Sequence, residues 1–263
     1  MNVSGKKVLL TGATGGLGHA IARRLAAAGA HVVLSGRRGD VLVALAGEIG
    51  AEVAPADLSD RAAVRELAAA HADADILICN AGLSASGVID SWTELQIDRA
   101  LDVNLRSAIV LSRALVPQMM ARGSGQLVFM SSLAGKSATA GASIYNATKF
   151  GLRGYAAGLR AELHGTGVGV SAIFPGFISD AGMFAETGVK LPFGVTTKSP
   201  EQVADATLRA IERNKAEIDV APVGLRLGAV LSGFVPDLAA AVTRRTGGKK
   251  IADAHEAAHM SKR

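Results

Sequence analysis

The chain has a single cysteine, Cys79, so it cannot form an internal disulfide and cannot be a bridge-stapled scaffold. A lone thiol fits a reducing compartment, and the cytoplasm is the expected location. Aromatic residues are also scarce, at 4% with one tryptophan, and they form no interleaved surface on which nucleic-acid bases could stack. Seven prolines against 31 glycines exclude a proline-rich or fibrous chain and suit helices packed closely on a sheet. Long apolar runs are missing as well. Val8 to Leu10 is too short for a secretory core after the polar Met1 to Lys7, so no signal peptide is expected. Pro222 to Val242 is apolar but broken by Arg226, Pro236 and Asp237, short of the roughly 20 residues that span a bilayer.

What is present is a 263-residue chain with 49% hydrophobic residues, enough for the core of one α/β unit. The formal charge of +5 does not describe its body. Arg244 to Arg263 holds six basic and two acidic residues, leaving 22 basic against 21 acidic in everything before it. The basic excess therefore reads as a solvated tail rather than a nucleic-acid surface.

The first motif is a short apolar strand, Lys7 to Leu10, running into Thr11-Gly12-Ala13-Thr14-Gly15-Gly16-Leu17-Gly18 and then a helix marked by Leu17, Ile21 and Leu25 that ends at Gly29. Strand, glycine loop and helix occur in the order a phosphate site needs. Glycines permit close backbone approach, and the helix N-terminus supplies amide donors and a positive dipole. Without its flanks, the same loop would be an ordinary tight turn.

His31 to Leu34 gives a second strand, followed by Ser35-Gly36-Arg37-Arg38 with no acid before Asp40. In a dinucleotide fold, a carboxylate here selects a ribose 2′-hydroxyl, whereas guanidinium groups match a 2′-phosphate. Arg37 and Arg38 therefore point to NADP, with NAD as the second choice. Two arginines opening an exposed loop would look the same.

The alternation continues through a helix lined by Leu42, Leu45 and Ile49, a strand from Ala51 to Ala56 ending in Asp57-Leu58, a helix with Val64 and Leu67, and a strand from Asp75 to Cys79. Such repetition implies a doubly wound parallel sheet in three α/β/α layers, with its ligand crevice beyond the C-terminal strand ends. Asn80-Ala81-Gly82 falls at that crevice. A long helix over 94 to 122 is expected next, with Leu101, Leu105, Ile109 and Leu115 inward, Asn104 within it and Pro117 kinking its end. The strand Gly125 to Ser132 follows, then a loop, then a helix carrying Tyr145, Lys149, Leu152, Tyr155, Leu159 and Leu163.

Tyr145 and Lys149 stand four apart and share one helix face. A phenol titrating near about 10 is a weak acid-base group at neutral pH, and a nearby ammonium lowers it. The spacing thus predicts a depressed phenol. A Tyr-x-x-x-Lys pair also arises by chance, with the tyrosine simply packed at a helix start.

Taken together, Thr-Gly-x-x-x-Gly-x-Gly at Thr11 to Gly18, Asn-Ala-Gly at Asn80 to Gly82, Asn104, Ser132, Tyr145-x-x-x-Lys149 and Pro175-Gly176 resemble the short-chain dehydrogenase/reductase family over nearly the whole chain to about Val220. The resemblance implies an NADP-dependent oxidoreductase with a tetrad. Tyr145 would be the acid-base group and Ser132 would polarise the substrate oxygen. Lys149 would lower the phenol and hold the nicotinamide ribose, and Asn104 would help hold a relay water. It also implies that Ser131 is structural, that Asp57 and Leu58 meet the adenine, and that Gly12, Thr14, Gly15, Gly16, Leu17, Gly18, Asn80, Ala81, Gly82, Pro175, Gly176 and Ile178 contact the cofactor. Cys79 replaces an asparagine frequent in the family and reads as a small buried hydrophobe.

Residues 1–221 are expected to form the nucleotide-binding and catalytic unit. Within it, 177–198 form a lid whose Met183, Phe184, Leu191, Pro192 and Phe193 suit an apolar ketone, acyl or steroid-like substrate. Residues 222–263 form an extension able to cover the pocket, dock a subunit or, least favoured, lie on a membrane. A homodimer or homotetramer is the family's habit. His255-Glu256-Ala257-Ala258-His259 matches a helical zinc-protease pattern but lacks a third ligand and a fold around it, so no metal is expected. The rival functions are a non-catalytic NADP sensor or scaffold, and a lyase or epimerase using the same Tyr-Lys pair.

Overall fold

The computed structural model describes residues 1–180 and 196–235. Seven strands form one parallel sheet: β1 (Lys7–Thr11), β2 (His31–Ser35), β3 (Glu52–Val53), β4 (Ile76–Cys79), β5 (Gly125–Met130), β6 (Val168–Pro175) and β7 (Glu217–Val220). Their spatial order is β3-β2-β1-β4-β5-β6-β7. The order reverses between β1 and β4, so the crevice opens there, between the glycine loop and Asn80.

Strand residues alternate between two cores. Val8, Leu10, Val32, Leu34, Ile76, Ile78, Val128 and Met130 join the cluster that also holds Ile21, Leu42 and Ile211 of helices α1 (Gly16–Ala27), α2 (Gly39–Ile49) and α7 (Pro200–Arg213). Leu9, Val33, Leu77, Cys79, Leu127 and Phe129 join the opposite cluster with Val64, Leu111 and Leu152 of α3 (Arg61–Ala70), α5 (Ser107–Ala121) and α6 (Ser143–Glu162). Burial on both faces explains why the strands read as unbroken apolar runs. Cys79 is one of those core residues, and burial pushes its thiol up, out of reactive range.

The helix starts are chemically marked. Asp60 caps α3 by accepting from Ala62 N, and Thr93 with Gln96 closes a capping box on α4 (Glu94–Leu101). Ser199 with Gln202 does the same on α7, which has Pro200 in its first turn.

Two expectations are corrected. The third strand pairs only over Glu52–Val53, although Ala54 N still donates to Leu34 O and Ala56 N to Gly36 O, so the chain follows β2 as far as the crevice. The long helix is interrupted by a π-helical turn, Asp102–Arg106, between α4 and α5. Its wider winding shifts the inward phase: the buried apolar residues of α5 are Ala108, Leu111, Leu115 and Met119, while Leu105 and Ile109 are only partly buried and Leu101, before the turn, is exposed.

Met183, Phe184, Leu191, Pro192 and Phe193, the basic tail and the His255-to-His259 motif lie outside the described residues. The stem of the 177–198 segment is fixed: Ile178 bridges Lys198, with Ser179 N donating to Lys198 O and Lys198 N to Phe177 O. A last helix, α8 (Val223–Phe234), follows β7.

Candidate active site

The glycine loop is held by steric necessity. Gly12 adopts φ +68°, and a Cβ there would lie 2.6 Å from Ala81 Cα; a Cβ on Gly18 would lie 2.2 Å from Gly12 O. Asn80 ties the two sides of the crevice together, its Nδ2 donating to Thr11 O and Gly12 O at 3.1 Å each. Leu17 is half-buried against the α1-side core. No side chain caps α1, and no acid stands in its first turn.

At the end of β2, Arg37 and Arg38 are exposed, and Arg38 Nη2 donates to Thr14 O. Burial raises the Asp57 carboxyl, but bonds from Ser59 N and Oγ and the fields of Arg37 and Arg99 outweigh it and hold it low. Leu58 is buried beside it, and Ile178 is buried at the stem of the 177–198 segment. The Ser35 hydroxyl is buried with no partner within the described structure. An uncapped helix end, a partnerless hydroxyl and two exposed guanidinium groups fit a phosphorylated dinucleotide.

Ser132 and Tyr145 come together. The Ser132 hydroxyl lies near enough to lower the Tyr145 phenol, while Ser132 Oγ accepts from Ala134 N at 3.1 Å and donates to Pro175 O at 3.5 Å. Lys149 is buried, its Nζ 5.6 Å from the Tyr145 ring centroid and donating to Met130 O at 2.8 Å. A Cβ on Gly82 would sit 3.6 Å from both Lys149 Nζ and Asn104 Oδ1, so the crevice loop lies directly over the pair. Ser131 Oγ donates to Lys149 O and so holds the α6 backbone rather than facing the crevice. Gly176 continues from β6, its N donating to Val220 O.

Two functional details differ from expectation. Burial raises the Tyr145 phenol to about 12, more than its bond with Ser132 lowers it, and burial lowers Lys149 to about 8. The Lys149 ammonium donates to the Met130 carbonyl, and desolvation dominates the phenol. The phenol is therefore held as a protonated donor. Asn104, 1% exposed, accepts from Leu83 N at 2.6 Å and gives both its amide protons, to Leu83 O and Thr148 Oγ1. Its side chain braces the crevice loop against α6.

The Lys149 shift gives a sign-definite expectation. Its folded value lies below the ordinary 10.5, so between about pH 8 and 10 the unfolded chain binds more protons and stability rises with pH. Lys149→Met lacks this gain, and its stability difference from the wild type should shift in the wild type's favour from pH 7.5 to pH 10 in denaturant titrations. A pH-independent difference would remove burial as the cause.

One cluster escaped sequence reasoning. The buried Lys136 Nζ pairs with Asp219 Oδ1 at 2.6 Å and Glu217 Oε2 at 2.8 Å, and lies 4.0 Å from the Phe174 ring centroid. It pins the turn after Ser132 to β6 and β7, and Arg153 adds a second pair to Glu217. Alternating acids in Glu217-Ile-Asp219 near a sheet edge were the available signal, but nothing in sequence links them to Lys136.

A parallel nucleotide-type sheet with a serine, tyrosine and lysine gathered at its crevice defines a dehydrogenase-like α/β protein. A family model described as short chain dehydrogenase matches residues 6–191, and the chain belongs to that family of oxidoreductases. It is 37% identical over 227 residues to the ketoacyl reductase HetN of Nostoc sp., covering 83% of this chain and 79% of that relative. It is 33% identical to the 3-oxoacyl acyl-carrier-protein reductase of Rickettsia bellii, covering 78% and 89%. A solved short-chain dehydrogenase from Sphingobium yanoikuyae in complex with NADPH superposes with a TM-score of 0.76 at 29% identity, over 88% of this chain and 96% of that one.

Proposed function

We propose that the protein is an NADP(H)-dependent oxidoreductase that interconverts a carbonyl and a secondary alcohol. The observation that carries this reading is Ser132 placed beside Tyr145, with the buried Lys149 Nζ 5.6 Å from the Tyr145 ring centroid. Solved relatives described in complex with NADPH and NADP+ support the cofactor, and ketoacyl reductases among the relatives make an acyl-chain ketone the first substrate class. Residues 1–221 would carry the activity, and the buried lone thiol suits the cytoplasm.

The residues from Gly12 to Gly18 and the α1 N-terminus would hold the pyrophosphate, and Arg37 and Arg38 the 2′-phosphate. Asp57 and Leu58 would border the adenine, while Lys149 would bind ribose hydroxyls with Asn80, Ala81 and Gly82 behind them. Bound there, the cofactor supplies or accepts the hydride. The Ser132 hydroxyl orients the substrate oxygen, and the Tyr145 hydroxyl gives it a proton. Lys149, 5.6 Å from the Tyr145 ring, offsets the negative charge left on the phenolate.

Purified full-length protein should oxidise NADPH in step with alcohol formation when offered a panel of acyl-thioester, steroid and small aromatic ketones. Tight NADPH binding with no ketone reduced would instead favour a sensor, lyase or epimerase.

A further inference from the structure

Helix α8 is amphipathic in an unusual sense: its apolar stripe faces solvent. Val223, Leu227, Val230, Leu231 and Phe234 recur at helical spacing and are between 49% and 79% exposed. The other side of the helix is the one attached to the body. Ala229 is buried, Ser232 Oγ donates to Lys136 O at 3.5 Å, and Arg226 Nε lies 3.8 Å from Asp219 Oδ2. The stripe is thus turned away from the Ser132 turn. A contiguous exposed apolar face of this kind is an interaction surface rather than scattered surface hydrophobes.

Charge decides between occupants. Beyond the stripe the chain continues into Arg244 to Arg263, with six basic and two acidic residues, while the preceding 243 residues are nearly balanced. α8 itself carries one charge, Arg226, and no acid. A second copy would carry the same net charge of +5 to the stripe, whereas an anionic surface would match both the apolar face and the basic excess. No helix among the described residues is long and apolar enough to cross a membrane, which leaves surface attachment. An interfacial helix is weakly held by its apolar face alone, and an adjacent polybasic run is the common second signal.

We propose that α8 and the basic run that follows bind the protein to an anionic lipid surface, with Val223, Leu227, Val230, Leu231 and Phe234 entering the headgroup boundary. The test is co-sedimentation of the full chain with phosphatidylglycerol/phosphatidylcholine vesicles and with pure phosphatidylcholine vesicles. The expected result is binding to the anionic vesicles only, weakened by 0.5 M salt as roughly charge-driven association should be, and about tenfold weaker partitioning for the triple variant Leu227→Glu, Leu231→Glu, Phe234→Glu. Its circular dichroism should match the wild type. Absence of binding, or equal binding by the variant, overturns the proposal. So does a shift of the variant from dimer to monomer in light scattering without a change in vesicle binding, which would assign the stripe to a second copy.

Discussion

Tyr145→Phe should leave NADPH affinity within about twofold and lower carbonyl reduction by roughly 10³-fold, within the range attributed to a positioned general acid. The variant removes one hydroxyl and keeps the ring that packs in the first turn of α6 near Lys149. The Ser132 hydroxyl beside it keeps its bonds with Ala134 N and Pro175 O and so should keep its place. Because the phenol is raised to about 12, the native group is protonated across the neutral range, and the loss should not be recovered by lowering the pH from 8 to 6. Fluorescence titration of NADPH and single-turnover absorbance separate binding from chemistry. Retention of more than about a tenth of the native rate would transfer the proton role to another donor.

Arg37→Ala combined with Arg38→Ala is expected to raise the KM for NADPH about 10²-fold while changing that for NADH less than about threefold. Charge-assisted hydrogen bonds contribute roughly 1.5–3 kcal/mol each, and about 1.4 kcal/mol is tenfold. Both side chains are exposed, Arg38 reaching the Thr14 carbonyl of the glycine loop and Arg37 lying in the field of Asp57. Gly36 is best left untouched, because a Cβ there would fall 2.9 Å from Thr14 Cγ2 and disturb the loop itself. Steady-state kinetics with the two cofactors decide the matter. An equal rise for both would show that the arginines hold the loop rather than read a phosphate.

The sheet and the crevice were legible in the sequence because a parallel sheet buried on both faces writes itself as repeated apolar runs, and because Gly12 and Gly18 occupy places where any side chain would strike backbone. The start of α7 obeys the same local rules, with Ser199 and Gln202 closing a capping box around Pro200. The phase of the helix after Asn104 was not legible, since a π-helical turn adds a residue without a marker that periodicity can read.

Sequence alone determined the strand-loop-helix order, the absence of disulfides, the family motifs and the spacing of Tyr145 from Lys149. Tertiary structure decided what those residues experience. Spacing predicted a lowered phenol, but burial raised it, because desolvation depends on what the closed fold packs around a side chain and not on its neighbours along one helix. Asn104 became a brace and Lys136 a buried tie to Glu217 and Asp219 for the same reason: their partners are distant in sequence and meet only when the sheet has closed.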